Sequence, residues 1–150
     1  MSVDGPMTFY AKMMIGRDLG ELGRAADQLR TWIEGVMDDD AAAGVELALV
    51  EALTNSIRHG PADNAQPIGI FVEVSEENVV VEIADGSPPV PTLFDGAGQQ
   101  KLDLDKFDLE GLPEGGRGLS LIVLSMDEVS FVQSGDQVRM RMVRHRNQGN

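Results

Sequence analysis

Glu51 and Asn55 stand four residues apart in the stretch Glu51-Ala52-Leu53-Thr54-Asn55-Ser56-Ile57-Arg58-His59-Gly60. On a helix that spacing stacks a carboxylate and an amide on one face, and Arg58 and His59 extend the face by a turn. An Asn amide oxygen is a neutral, hard ligand suited to Mg2+, which takes oxygen donors and keeps several waters. A carboxylate one turn earlier can take a proton from a hydroxyl or water attacking a phosphate. His59 is either a ligand or a helix-end histidine interacting with the dipole. A second block, Val81-Glu82-Ile83-Ala84-Asp85-Gly86-Ser87-Pro88-Pro89, puts a carboxylate where an apolar strand ends. Asp85 there can accept a hydrogen bond from an exocyclic amine such as that of adenine, and Gly86 lets the backbone approach a flat ring. In the third block, Glu114-Gly115-Gly116-Arg117-Gly118-Leu119-Ser120-Leu121, glycines lead straight into an apolar run. Free amides at a helix N-terminus, reached through a glycine turn, make an anion site, and Arg117 adds positive charge.

Each block alone has a plain structural reading: a solvated helix face, an Asp-Gly turn, a flexible loop before a helix. Each occurs once, in this order, with a long segment between the second and third. Joint chance agreement is far rarer than any single match. Together the blocks read as a nucleotide site, with a metal-holding helix, a base-reading loop and a phosphate-binding turn.

The elements that must position these residues follow from periodicity. Phe9 to Ile15 suits a strand. From Asp18 to about Met37 apolar residues recur at helical spacing (Leu19, Leu22, Ala25, Ala26, Leu29, Trp32, Ile33, Val36), with Asp18 as N-cap and Glu21 completing a capping-box-like pair. Asp38-Asp39-Asp40 caps a second helix, about 41–59, ended by Gly60-Pro61. Strands follow at Ile68 to Val74 and Val79 to Ala84, joined by a turn at Ser75-Glu76-Glu77-Asn78. Residues 86–115 hold Pro88, Pro89, Pro91, several glycines and a run of acids with little periodicity, which suits a functional lid or a disordered insertion. A helix at Leu119 to Met126 and a hairpin of Glu128 to Gln133 with Gln137 to Val143 close the chain. The order predicts a two-layer α/β sandwich.

Composition narrows the partners. At 150 residues one domain is expected, with residues 1–8 as a loose tail. Twelve basic residues against 25 acidic give a net charge of −13, which argues against nucleic acid and anionic membranes and for basic protein surfaces. There is no cysteine, hence no disulfide framework or thiolate metal site. Neither a secretory signal nor an apolar run of membrane-spanning length is visible, so a cytoplasmic protein is expected.

With these residues in hand, the chain resembles the histidine-kinase-like (GHKL) ATPase superfamily, which includes gyrase and sensor kinases. Within it, the chain is similar to the small anti-sigma factor serine/threonine protein kinases of bacterial partner-switching systems. The resemblance runs from about Phe9 to Arg144. It rests on Glu51 to Gly60, which matches the family's N box, and on Gly115-Gly116-Arg117-Gly118-Leu119-Ser120-Leu121-Ile122 followed by Met126-Asp127-Glu128-Val129. It implies a mixed, mostly antiparallel sheet with about three helices, and an ATP lid at 86–115. It further implies that Asn55 coordinates Mg2+ on the phosphates of ATP and that Glu51 is the general base acting on a partner's serine. Asp85, beside Gly86, would accept the adenine amine. Gly116, Gly118 and Leu119 would bind the phosphates at the helix start, with Arg117 alongside. Arg24 matches a position that such relatives use to contact a sigma factor. The implied partners are a STAS-type anti-sigma factor antagonist as substrate, a sigma factor or other regulatory protein, and a second copy of the chain in a homodimer.

Two features depart from the family pattern. The second box often reads Asp-x-Gly-x-Gly, and residues 85–89 lack the spaced glycines. The stretch Gln137 to Met142 has no threonine where relatives often support the adenine site. The competing class is a non-catalytic, ATP-dependent binding switch, against which Glu51 argues. The catalytic domain of a sensor histidine kinase needs a phospho-accepting histidine on a helical hairpin, and neither His59 nor His145 sits on one.

Overall fold

The computed structural model describes residues 8–59, 66–86, 99–101 and 121–146. Six strands form one sheet in the order β1-β2-β3-β6-β5-β4. They are β1 (Phe9–Ile15), β2 (Ile68–Val74), β3 (Asn78–Ala84), β4 (Gln99–Lys101), β5 (Glu128–Ser134) and β6 (Gln137–His145). Every described ladder is antiparallel. Helices α1 (Leu22–Ile33) and α2 (Asp39–His59) cover one face, and residues 121–125 are helical as well. The result is the expected two-layer sandwich.

Alternation dictates which face is covered. Val72 pairs with Val81, Val81 with Met142, and Met142 with Val129, so one apolar row crosses four strands at 0–2% exposure. A slip of one residue in any ladder would turn that row outward, so burial fixes the register. Against it α2 buries Ala41, Val45, Ala48, Leu49, Ala52 and Leu53, and α1 buries Ala25, Leu29 and Ile33. This spacing is the apolar stripe of a helix on a sheet.

Local chemistry sets the boundaries, and in places it differs from expectation. The first helix stops at Ile33, not near Met37. Gly35 takes φ of 77°, and the Val36 amide bonds back to the Ile33 carbonyl at 3.0 Å. Val36 still packs on the core from outside the helix, which explains why its periodicity misleads. Asp18 caps a short 3-10 turn, Leu19–Glu21, by accepting from the Gly20 amide at 2.9 Å. Glu21 does not close a capping box. Its carboxylate takes the Gly16 amide at 3.3 Å and pairs with Arg24. At α2, Asp38 accepts from the Ala41 amide at 2.8 Å, as its place before the helix predicts. The Ser75 hydroxyl accepts the Glu77 and Asn78 amides and shapes the β2–β3 turn. Strand β4 falls inside the segment expected to be a lid and adds to the edge through β5. The rest of that segment lies outside the described residues.

Candidate nucleotide site

Helix α2 presents Glu51 and Asn55 at the margin of its buried stripe. Ala48 and Ala52, on the adjoining strip, face the core. Glu51 and Asn55 are therefore half-buried, while Arg58 is exposed. A half-buried amide beside a half-buried carboxylate, one turn apart, is a donor set that fits Mg2+, since that ion takes few protein oxygens and keeps waters and phosphates. Among the described residues no group of three His, Asp or Glu side chains could hold a metal alone.

Asp85 and Gly86 follow β3 directly, and both are half-buried. Gly86 has φ of 83°, a conformation in which any side chain would be strained. Glycine is demanded here by the backbone itself, independently of any ligand.

The sequence gives no hint of what joins the first two blocks. Arg17, in the turn after β1, donates from Nη1 to the Ser56 carbonyl at 3.5 Å, from Nε to the Gln66 carbonyl at 3.1 Å, and from Nη2 to the Asp85 carbonyl. Its pattern alone suggests a solvated residue. The structure half-buries it between α2, the approach to β2 and the end of β3. No side-chain motif could have revealed this, because all three acceptors are backbone oxygens. Arg30, likewise readable as solvated, pairs with Glu46 and ties α1 to α2.

Arg24 lies on α1 with its side chain 52% exposed. It pairs with Glu21 at 3.0 Å and donates to the Met14 carbonyl at 3.1 Å. The guanidinium beside Glu21, helped by the Gly16 amide, holds that carboxyl below the usual range. Arg24 is thus tied to Glu21 and to the end of β1 while about half of its side chain stays exposed. Gly116, Arg117, Gly118 and Leu119 lie outside the described residues, as does the side chain of His59. A separate depression of about 350 Å³, lined by Tyr10, Lys12, Phe71, Val80 and Glu82, lies on the open face of the sheet, away from α2.

A solved structure of the RsbU and RsbW domains of Rv1364c from Mycobacterium tuberculosis has a similar fold. Its TM-score is 0.63 at 15% identity, and the match covers 91% of this chain and 32% of that one. This chain therefore spans about a third of that protein's length. No curated protein sequence matches. The family model described as histidine kinase-like ATPase domain matches residues 16–142, which include Glu51, Asn55, Asp85 and the glycine-rich stretch 115–118. The chain belongs to the histidine kinase-like ATPase domain family.

Proposed function

We propose that this protein is a partner-switching regulator, an anti-sigma factor that is also a protein kinase, and that it uses Mg-ATP to phosphorylate a serine of an anti-sigma factor antagonist. The observation that carries the reading is the joining of the first two blocks. Arg17 bonds both the Ser56 carbonyl, next to Asn55, and the Asp85 carbonyl, so the end of α2 and the turn at Asp85 share one corner, which supports reading them as parts of one site. The match to the N box and the glycine turn supports the kinase assignment, and the fold shared with a structure containing an RsbW domain supports the regulatory one.

In this reading each residue has one task. Asn55 offers its amide oxygen to Mg2+. Asp85 accepts the adenine amine. Gly116, Gly118 and Leu119 give amides to the phosphates, with Arg117 beside them. Glu51 takes the proton of the attacking serine hydroxyl. Bound Mg-ATP supplies the phosphoryl group and its charge neutralisation, and positioning does most of the rest in such a transfer. Arg24 anchors the sigma factor or another regulatory partner, and the chain works as a homodimer in the cytoplasm.

The test is phosphotransfer. Incubation with labelled ATP, Mg2+ and candidate antagonist proteins should label one serine. Glu51→Ala should abolish labelling while nucleotide and partner binding persist. Nucleotide-dependent partner binding without labelled serine in the wild type would instead favour a binding-only switch.

A further inference from the structure

Arg17 forms its three hydrogen bonds with carbonyls that regular structure leaves aside. Ser56 is among the last four residues of α2, whose carbonyls have no amide partner within the helix. Gln66 lies just before Pro67 and β2, and Asp85 just after β3. A guanidinium carries five donors spread over three nitrogens in a rigid planar fork and can span three separated acceptors, whereas the three donors of an ammonium all leave one atom. A cation at the C-terminal turn of a helix also meets the negative end of its dipole.

The consequence falls on Asp85. Gly86, with φ of 83°, is a natural pivot, because glycine crosses between backbone regions at little cost. The Asp85 carbonyl and carboxylate hang from the same Cα, so swivelling about that pivot moves both. Arg17 holds the carbonyl and thereby opposes the swivel. We propose that Arg17 is the positioning residue for base selection: it locks the Asp85–Gly86 turn against the end of α2, so that the Asp85 carboxylate meets a purine amine in one geometry. This rests on the reading of Asp85 given under Proposed function.

A clamp that only held the fold together would affect all nucleotides alike. A clamp that aims Asp85 affects the choice between ATP and GTP, since guanine carries a carbonyl where adenine carries the amine. The experiment titrates ATP and GTP, each with Mg2+, into the full chain as wild type, Arg17→Met and Arg17→Lys, with a nucleotide-free melting curve for each. The wild type should prefer ATP. Arg17→Met should lower the ATP-to-GTP affinity ratio about tenfold or more, the scale of one mispaired polar contact, with GTP affinity little changed. Arg17→Lys should fall between the two. A folded Arg17→Met with the wild-type ratio, or with both affinities reduced in equal proportion, would overturn the proposal. If Arg17→Met has no cooperative melt, Arg17→Lys is judged by the same two outcomes. A wild type without preference for ATP would contradict the Asp85 reading itself, and this role with it.

Discussion

Single residues should separate nucleotide binding from phosphotransfer. Asp85→Asn should weaken adenine nucleotide binding by roughly 1–3 kcal/mol, because the amide leaves a buried contact mispaired, and calorimetry reads this directly. Unchanged affinity would remove Asp85 from the base site. Asn55→Ala should lose Mg2+-dependent binding and phosphotransfer together, whereas Glu51→Ala should lose only transfer, since a general base acts in the chemical step. Wild-type rates in Glu51→Ala would reassign the base. Glu51 and Asn55 are legible as candidates from side-chain type and helical spacing, and Asp85 from its place at the end of an apolar strand. Arg17 is not, because its acceptors are carbonyls 39, 49 and 68 residues away, and a carbonyl leaves no mark on the sequence.

At the scale of the element, close approach of backbones matters more than residue type. A Cβ on Gly44 of α2 would sit 3.2 Å from the Ser125 carbonyl, which is itself held by the Arg144 Nη1 at 2.9 Å. That carbonyl can retreat only by stretching the Arg144 bond or moving Arg144 with it. Gly44→Val should therefore cost about 1–3 kcal/mol through overpacking, and lower the urea midpoint without changing the slope. A midpoint at or above wild type would show that the 121–125 helix yields there. Strands and helices were readable from period two and period 3.6. Helix ends were less so: Val36 keeps the helical period yet lies beyond Gly35, which turns the chain. Strand β4 escaped because three residues are too few to show alternation, and its pairing with β5 is non-local.

Across the whole surface, a net charge of −13 favours basic partner surfaces, and Arg24, paired with Glu21 in this structure, is the proposed cation for an acidic anchor on one of them. Arg24→Glu should weaken capture of the cognate sigma factor in a pull-down and leave ATP binding intact, because a charge of the wrong sign at an interface costs several-fold in affinity or more. Full capture would exclude Arg24 as an anchor. The substitution also places two carboxylates at positions 21 and 24, so a melting curve belongs beside it. The two-layer fold was legible from element order, and the order of strands in the sheet was not, since pairings such as β3 with β6 join residues about sixty apart. Whether α2 and the turn after β3 form one Mg-ATP site is decided by calorimetric titration of ATP with and without Mg2+. One ATP per chain should bind saturably, and binding should weaken sharply when Mg2+ is withheld. No binding of ATP, or binding indifferent to Mg2+, would contradict the shared site.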